Sequence, residues 1–287
     1  MLIIAGALVT SNDAGLSVPD WPTSFGSLYR LPPMVGGVKF EHSHRMIAES
    51  VGLLTIILAV WLSRTDHRPW MRKLGWAALG TVIAQGILGG ITVLHFLPPS
   101  VSSAHAALGQ TFFCLIVAIW LFSGRIWVEE PRQNLPTRKP SIQVLTGLAV
   151  TSIYVQLILG AAFRHHGIKL LPHIISAAVV TFVLLWTVVR VLTEYPLVDQ
   201  LRKPAIALLS LLMVQLGLGF ASWVTRVEWG RDAVQPETAM VWTTVAHVSV
   251  GALLLATAVV LAIQAWRHVA IPTAERIPNR EPRPVAI

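Results

Sequence analysis

Glu41-His42-Ser43-His44-Arg45 gathers a carboxylate, two imidazoles and a guanidinium where a loop rich in glycine and proline runs into a long apolar segment. Residues three apart share one face of a helix, so Glu41 and His44 can act on one bound group. Imidazole ligates metals or carries protons, and a carboxylate beside it moves a proton or steadies a developing cation. Plainer roles stay open for the acids: Glu41 can stabilise a helix start, and an Arg45–Glu49 pair, four residues apart, accounts for Glu49. Successive residues are turned by about 100° in a helix, so His42 does not share the face of His44 and is expected to hydrogen-bond elsewhere.

Three more histidines resemble His44 in placement. His105, His173 and His247 each lie near the beginning of an apolar run, in the settings Ser103-Ala-His105-Ala-Ala, Leu171-Pro-His173-Ile-Ile and Val245-Ala-His247-Val-Ser. A single such ring can be satisfied by a neighbouring carbonyl, but four at equivalent depth point to ligation. Two imidazoles facing across a bundle suit the axial positions of a heme iron, with apolar walls around the macrocycle. Pairing His44 with His105 and His173 with His247 gives one site per half of the chain. Zinc or copper fits less well, because few Cys, Asp or Glu residues are at hand to complete a coordination sphere. Only the first site has an acid, Glu41, so the N-terminal half is the expected reaction site and the C-terminal half an electron-transfer or structural one. The other histidines (67, 95, 165, 166 and 268) fall in connections or at span ends and read as solvated or interfacial. Arg45, Arg164 and Arg226 lie near outer span ends, where heme propionates or the interface would take them.

The elements that must position these residues are membrane spans. Hydrophobic residues make up 54% of the chain and charged ones 13%, and the apolar residues come in unbroken runs, so the expected class is an all-α polytopic membrane protein. Seven runs are full length, about 45–63, 74–97, 101–122, 141–163, 170–189, 205–225 and 238–266. An eighth, residues 1–10, is half the roughly 20 residues a span needs; either it is a short helix or the start lies upstream. No cleavable signal peptide is expected, since no basic region precedes Leu2.

The net charge of +8 does not indicate nucleic acid, because the Lys and Arg residues fall in connections between apolar runs. Segments 64–73, 124–140, 190–203 and 267–287 hold 15 of the 22, which makes them and both termini cytoplasmic and puts the four histidines near the outer side. Tryptophans 61, 120, 127, 223, 242 and 266 lie near span ends, as an aromatic belt would place them. Cys114, the one cysteine, lies inside an apolar run and reads as a core residue.

Gln85-Gly-Ile-Leu-Gly89, Gln156-Leu-Ile-Leu-Gly160 and Gln215-Leu-Gly-Leu-Gly219 recur on the third, fifth and seventh spans, where small residues permit close helix approach. The chain therefore reads as eight helices in two pseudo-repeated four-helix bundles. Residues 1–125 form one half, 126–140 a cytoplasmic linker, 141–270 the other half and 271–287 a cytoplasmic tail.

The sequence resembles heme A synthase in Gly6-Ala-Leu-Val-Thr10, Gly15-Leu-Ser-Val-Pro-Asp-Trp-Pro22, Glu41-His-Ser-His-Arg45 and the three later histidines, over nearly the whole chain to about residue 266. The resemblance implies oxidation of the C8 methyl of heme O to the formyl of heme A, by successive hydroxylations with water as oxygen source. It further implies that His44 and His105 flank the substrate heme, that Glu41 is the catalytic carboxylate, and that His173 and His247 ligate a heme b cofactor. Implied partners are the farnesyl-transferring heme O synthase, membrane lipid of the cytoplasmic membrane and an electron acceptor. Unlike some bacterial members, segment 11–40 has no cysteine pair, and the first span is short. Two other functions fit the pattern less fully: a di-heme b-type electron carrier, in which Glu41 is dispensable, and a repeat-built transporter, which would need more polar residues at mid-membrane than the repeated glutamines supply.

Overall fold

In a bilayer every backbone N–H and C=O must find its partner within the protein, which long apolar helices achieve on their own. The computed structural model describes residues 1–270 and is all-helical; among these residues there is no strand, and β pairing is confined to the isolated bridges Ser24–Ser27 and Leu135–Val269. Helix α1 (Leu2–Ser11) is short. Seven others are long and apolar enough to cross a membrane: α2 (Val38–Thr65), α3 (Pro69–Leu94), α4 (Pro99–Ser123), α6 (Ile142–Arg164), α7 (Leu170–Glu194), α8 (Asp199–Trp223, continued by a π-helical turn Val224–Trp229) and α9 (Thr238–His268). A small helix, α5 (Arg125–Glu129), opens the linker. Segment 271–287, the expected tail, lies outside the described residues.

The connections α2–α3, α3–α4, α6–α7 and α7–α8 are short, so consecutive helices pack as antiparallel neighbours. The end of one helix is thereby laid against the beginning of the next. Helices α6 to α9 close on themselves through α6–α9 packing, whereas α1 packs on α9 as well as α2, and α4 packs on both α6 and α9. Helix α2 starts at Val38, seven residues before its apolar run, because the polar first turns, with Lys39 and Glu41, can stand at the membrane edge. Residues 41–45 therefore lie inside the helix and not at its junction with the loop.

Core packing is uneven along the C-terminal helices. Buried apolar residues occupy α6 from Ile142 to Ile153, α7 from Val180 to Val191, α8 from Leu201 to Leu212 and α9 from Leu254 to Ala265. These stretches lie at the same end of the bundle. At the other end, where His173 and His247 sit, α6, α7 and α8 bury no apolar side chain.

The linker closes over the packed end. Leu135 exchanges backbone hydrogen bonds with His268 and Ala270, Tyr195 donates to the Pro136 carbonyl at 2.8 Å, and Gln143 donates to the Val269 carbonyl at 2.9 Å. This overturns the solvated reading of His268, which is 1% exposed because the linker folds back across the end of α9.

Leu208→Ala, in the packed end, is expected to lower stability by about 2–4 kcal/mol, read as an earlier loss of helical circular dichroism on titration with a denaturing detergent. Leu197→Ala, in a connection at 93% exposure, is expected to shift it by less than about 0.5 kcal/mol.

Candidate functional site

Each of the four histidines is seated on a glycine of the neighbouring helix. A Cβ on Gly6, Gly89, Gly160 or Gly219 would stand 3.2, 3.2, 2.9 or 3.1 Å from Cε1 of His44, His105, His173 or His247 respectively. Only a residue without a side chain lets the Cε1 edge of the ring come this close to the facing backbone. Three seats have a second component. Gln85 and Gln156 donate to the backbone carbonyls of His105 and His173 at 2.9 and 3.0 Å, and the Nε2 atoms of Gln85, Gln156 and Gln215 lie 3.3, 3.3 and 3.4 Å from the ring Nε2 atoms. The repeat visible in the sequence is thus a glutamine and a glycine, one helical turn apart, that hold one imidazole. At the first seat Leu2 occupies the glutamine position, a turn before Gly6.

In all four rings Nδ1 is buried with no hydrogen-bond partner among the described residues, a costly state for a nitrogen in an apolar setting. The rings of His173 and His247 meet edge-on, with centroids 6.3 Å apart and planes at 78°. Two metal–nitrogen bonds of about 2 Å, with roughly 1 Å of ring on each side, span about 6 Å. That separation would let the two imidazoles hold one metal between them. Among the described residues no group of three or more His, Cys, Asp or Glu forms a metal cage; the donor set is two imidazoles, which fits a metal whose remaining ligands come from a macrocycle.

Glu41 is 4% exposed. Its Oε2 accepts the Val18 N–H at 2.9 Å and its Oε1 accepts from Arg45 at 2.7 Å. The ion pair of Arg45 is with Glu41 and not with Glu49, which is exposed. The reason is the loop: Arg45 also donates to the carbonyls of Asp20 at 2.7 Å, Thr23 at 3.0 Å and Val18 at 3.0 Å, and these partners draw its guanidinium back toward the start of α2. Segment 15–27 is folded over this end of the helices, with Trp21 against Gly90 and Leu97 against Gly15. Asp20 organises the turn beyond, accepting from the Thr23 hydroxyl and from the N–H groups of Phe25 at 2.7 Å and Gly26 at 2.8 Å. Burial works against the charged form of Asp20, but these hydrogen bonds prevail and hold it down at about 2. His42 bonds the Ser24 hydroxyl at 3.2 Å, the separate role its position indicated.

The other two arginines hold α1. Arg164 donates to the Thr10 carbonyl and, at 2.8 Å, to Asp13; Arg226 donates to the Ser11 carbonyl at 3.2 Å. Cations on the last carbonyls of a helix offset its exposed negative end, so all three arginines considered for propionates are engaged with the protein itself. His165 is half-buried and not solvated; burial first, then the Arg164 cation and His105, push its pKa down to about 4.

Fold and site together define an all-helical membrane protein that seats four imidazoles on glycines of neighbouring helices, with a buried carboxylate one helical turn from the first of them. The COX15-CtaA family model, described as cytochrome oxidase assembly protein, matches residues 38–172. Heme A synthase of Symbiobacterium thermophilum is 30% identical over 252 residues, covering 76% of this chain and 80% of that protein. Heme A synthases of Alkalihalophilus pseudofirmus and Shouchella clausii are 25% and 32% identical over alignments covering 58% and 42% of this chain and 55% and 40% of theirs. No solved structure matches the chain. The chain belongs to the heme A synthase family, within the cytochrome oxidase assembly proteins.

Two measurements test the loop's attachment. Arg45→Met removes four hydrogen bonds at once and should raise amide hydrogen exchange across residues 18–27 by at least about 10-fold, with exchange in α6–α9 unchanged. Asp20 titrates below its unfolded value of about 3.9, so its contribution to loop order is complete above that pH and is lost as pH falls through about 2. Exchange protection of Phe25 and Gly26, relative to intrinsic rates, should fall in that window, and Asp20→Asn should remove the dependence.

Proposed function

We propose that this chain is a heme A synthase that oxidises the C8 methyl of heme O to a formyl group by successive hydroxylations, with water as the oxygen source. The observation that carries this reading is the pairing of a buried carboxylate, Glu41, with a glycine-seated imidazole, His44, three residues along one helix. His44 and His105 would hold heme O as substrate, and His173 and His247 would hold a heme b. When bound, that heme b supplies one-electron redox capacity. Each hydroxylation removes an electron pair and protons from the methyl carbon and adds the oxygen of water, so the site needs a fixed negative group to steady developing positive charge and accept a proton. Glu41 fits that need. Arg45 and the Val18 N–H fix its direction before substrate arrives, and each carboxylate oxygen keeps a lone pair for further bonding.

The same reading takes α1 as the eighth helix, with residues 1–125 as the substrate half and 141–270 as the heme b half. The distribution of Lys and Arg supports an orientation with both termini cytoplasmic and the histidines near the outer side. The enzyme would act in the cytoplasmic membrane, taking heme O from the farnesyl-transferring heme O synthase and passing electrons to a membrane acceptor.

A di-heme electron carrier is the second reading, because Glu41 already has a structural task in fastening the loop. Glu41→Gln distinguishes the two. It keeps the size of the side chain and an acceptor for Val18, and under the synthase reading it should retain heme while lowering heme A yield about 100-fold or more. Pigments extracted from the purified protein and separated by chromatography give the measurement: undiminished heme A from that variant, or heme b alone in the unmodified protein, ends the synthase reading.

A further inference from the structure

Opposite the histidine end, a crevice of about 560 Å³ opens between the helices of the two halves. Its walls are Trp70, Phe122, Trp127 and Trp266, with Arg132 and Arg267 at the rim and Gly147 on the α6 side. The aromatic rings are ordered: Trp70 meets Phe122 edge-on at 5.1 Å and Phe122 meets Trp127 at 4.7 Å. The Arg267 guanidinium lies 4.1 Å over the Trp127 ring and donates to the Glu130 carbonyl at 2.6 Å. Its Nε is buried and has no hydrogen-bond partner among the described residues. Arg132 is exposed, forms no hydrogen bond or ion pair with the described residues, and lines the same crevice as Arg267. The acid nearby, Glu130, is bonded through Oε2 to Gln200 at 2.7 Å. Two cations with unused donors thus flank an apolar slot of ligand size.

We propose that this crevice binds an anionic glycerophospholipid, with its phosphate at Arg132 and Arg267 and an acyl chain along the aromatic wall. Charge complementarity selects the headgroup: a phosphate supplies the acceptors that the two guanidiniums lack, and basic pockets between membrane helices hold such headgroups. The setting selects a lipid over a soluble anion. Trp70 and Trp266 are 42% and 59% exposed on helices that span the membrane, so the slot is continuous with the lipid-facing surface, and tryptophan with arginine at helix ends marks the headgroup level. The site is separate from the histidine pairs, so it stands or falls independently of the reaction proposed above.

Native mass spectrometry of the full-length protein, released from detergent after titration with phosphatidylglycerol or with phosphatidylcholine of matched chains, tests the assignment. Phosphatidylglycerol should be retained at a stoichiometry of one and in preference to phosphatidylcholine. At about one kcal/mol per arginine near a headgroup, Arg132→Gln should weaken retention about 5-fold and the double Arg132→Gln/Arg267→Gln variant about 25-fold. Because Arg267 also fastens the linker, a third variant leaves both charges in place. A side chain built on Gly147 meets nothing within 4 Å, so Gly147→Leu fills the slot, and leucine favours helix more than glycine does. It should abolish the preference while leaving the circular dichroism unchanged. Equal retention of the two lipids by the unmodified protein, or unchanged retention by both Arg132→Gln and Gly147→Leu, overturns the proposal.

Discussion

An imidazole placed between two membrane helices needs room that ordinary side chains do not leave, and this structure provides it four times with a glycine. The clearance from Cε1 to the position a Cβ would take is about 3 Å at every seat, which is tighter than normal contact. The helices therefore approach to the thickness of a ring, and the ring is pinned by the same contact that lets the helices meet. Everything that concerns the histidines depends on this: their direction, their burial and the edge-on meeting of His173 and His247.

The seats leave a nitrogen of each ring without a partner among the described residues, and α6, α7 and α8 bury no apolar side chains at that end. A soluble core with these features would be poorly satisfied. Here the packing is displaced to the opposite end, where Leu145, Leu184, Leu208, Leu255 and Leu261 are fully buried. Stability and ligand capacity are thus separated along the helix axis. One end supplies close-packed leucine and the other the four histidines with their glycine seats.

Guanidinium groups organise the histidine end. Arg45 gathers the loop carbonyls and Glu41 into one network, while Arg164 and Arg226 hold the end of α1. In low dielectric each such bond is stronger than in water, and loss of one member leaves others unpaired. The carboxylate that could act on a substrate is therefore fixed by the segment that covers it, so order in residues 18–23 and the position of Glu41 are one property. The three glutamine-supported seats have no such network, and the seat of His44 has it in place of a glutamine. All four seats share the glycine, and the seat of His44 departs from the other three at this point.

The sequence by itself determined the class of fold and the placement of its chemistry. Long apolar runs bounded by basic connections leave helices as the solution in lipid, and every one of the seven long runs is a helix, although α2 and α8 begin well before their apolar runs. The glutamine–glycine repeat and the histidine at the start of the following run were legible for the same reason: spacing along a helix is fixed by its 3.6-residue turn. What touches what was not. That Gly89 lies under His105, that Arg45 turns toward Glu41 and away from Glu49, and that the linker covers His268 all depend on groups far apart in the chain. Helical periodicity is silent on such contacts, because an arginine with several acceptors in reach goes where the most unpaired carbonyls are, and only the folded chain decides where those carbonyls lie.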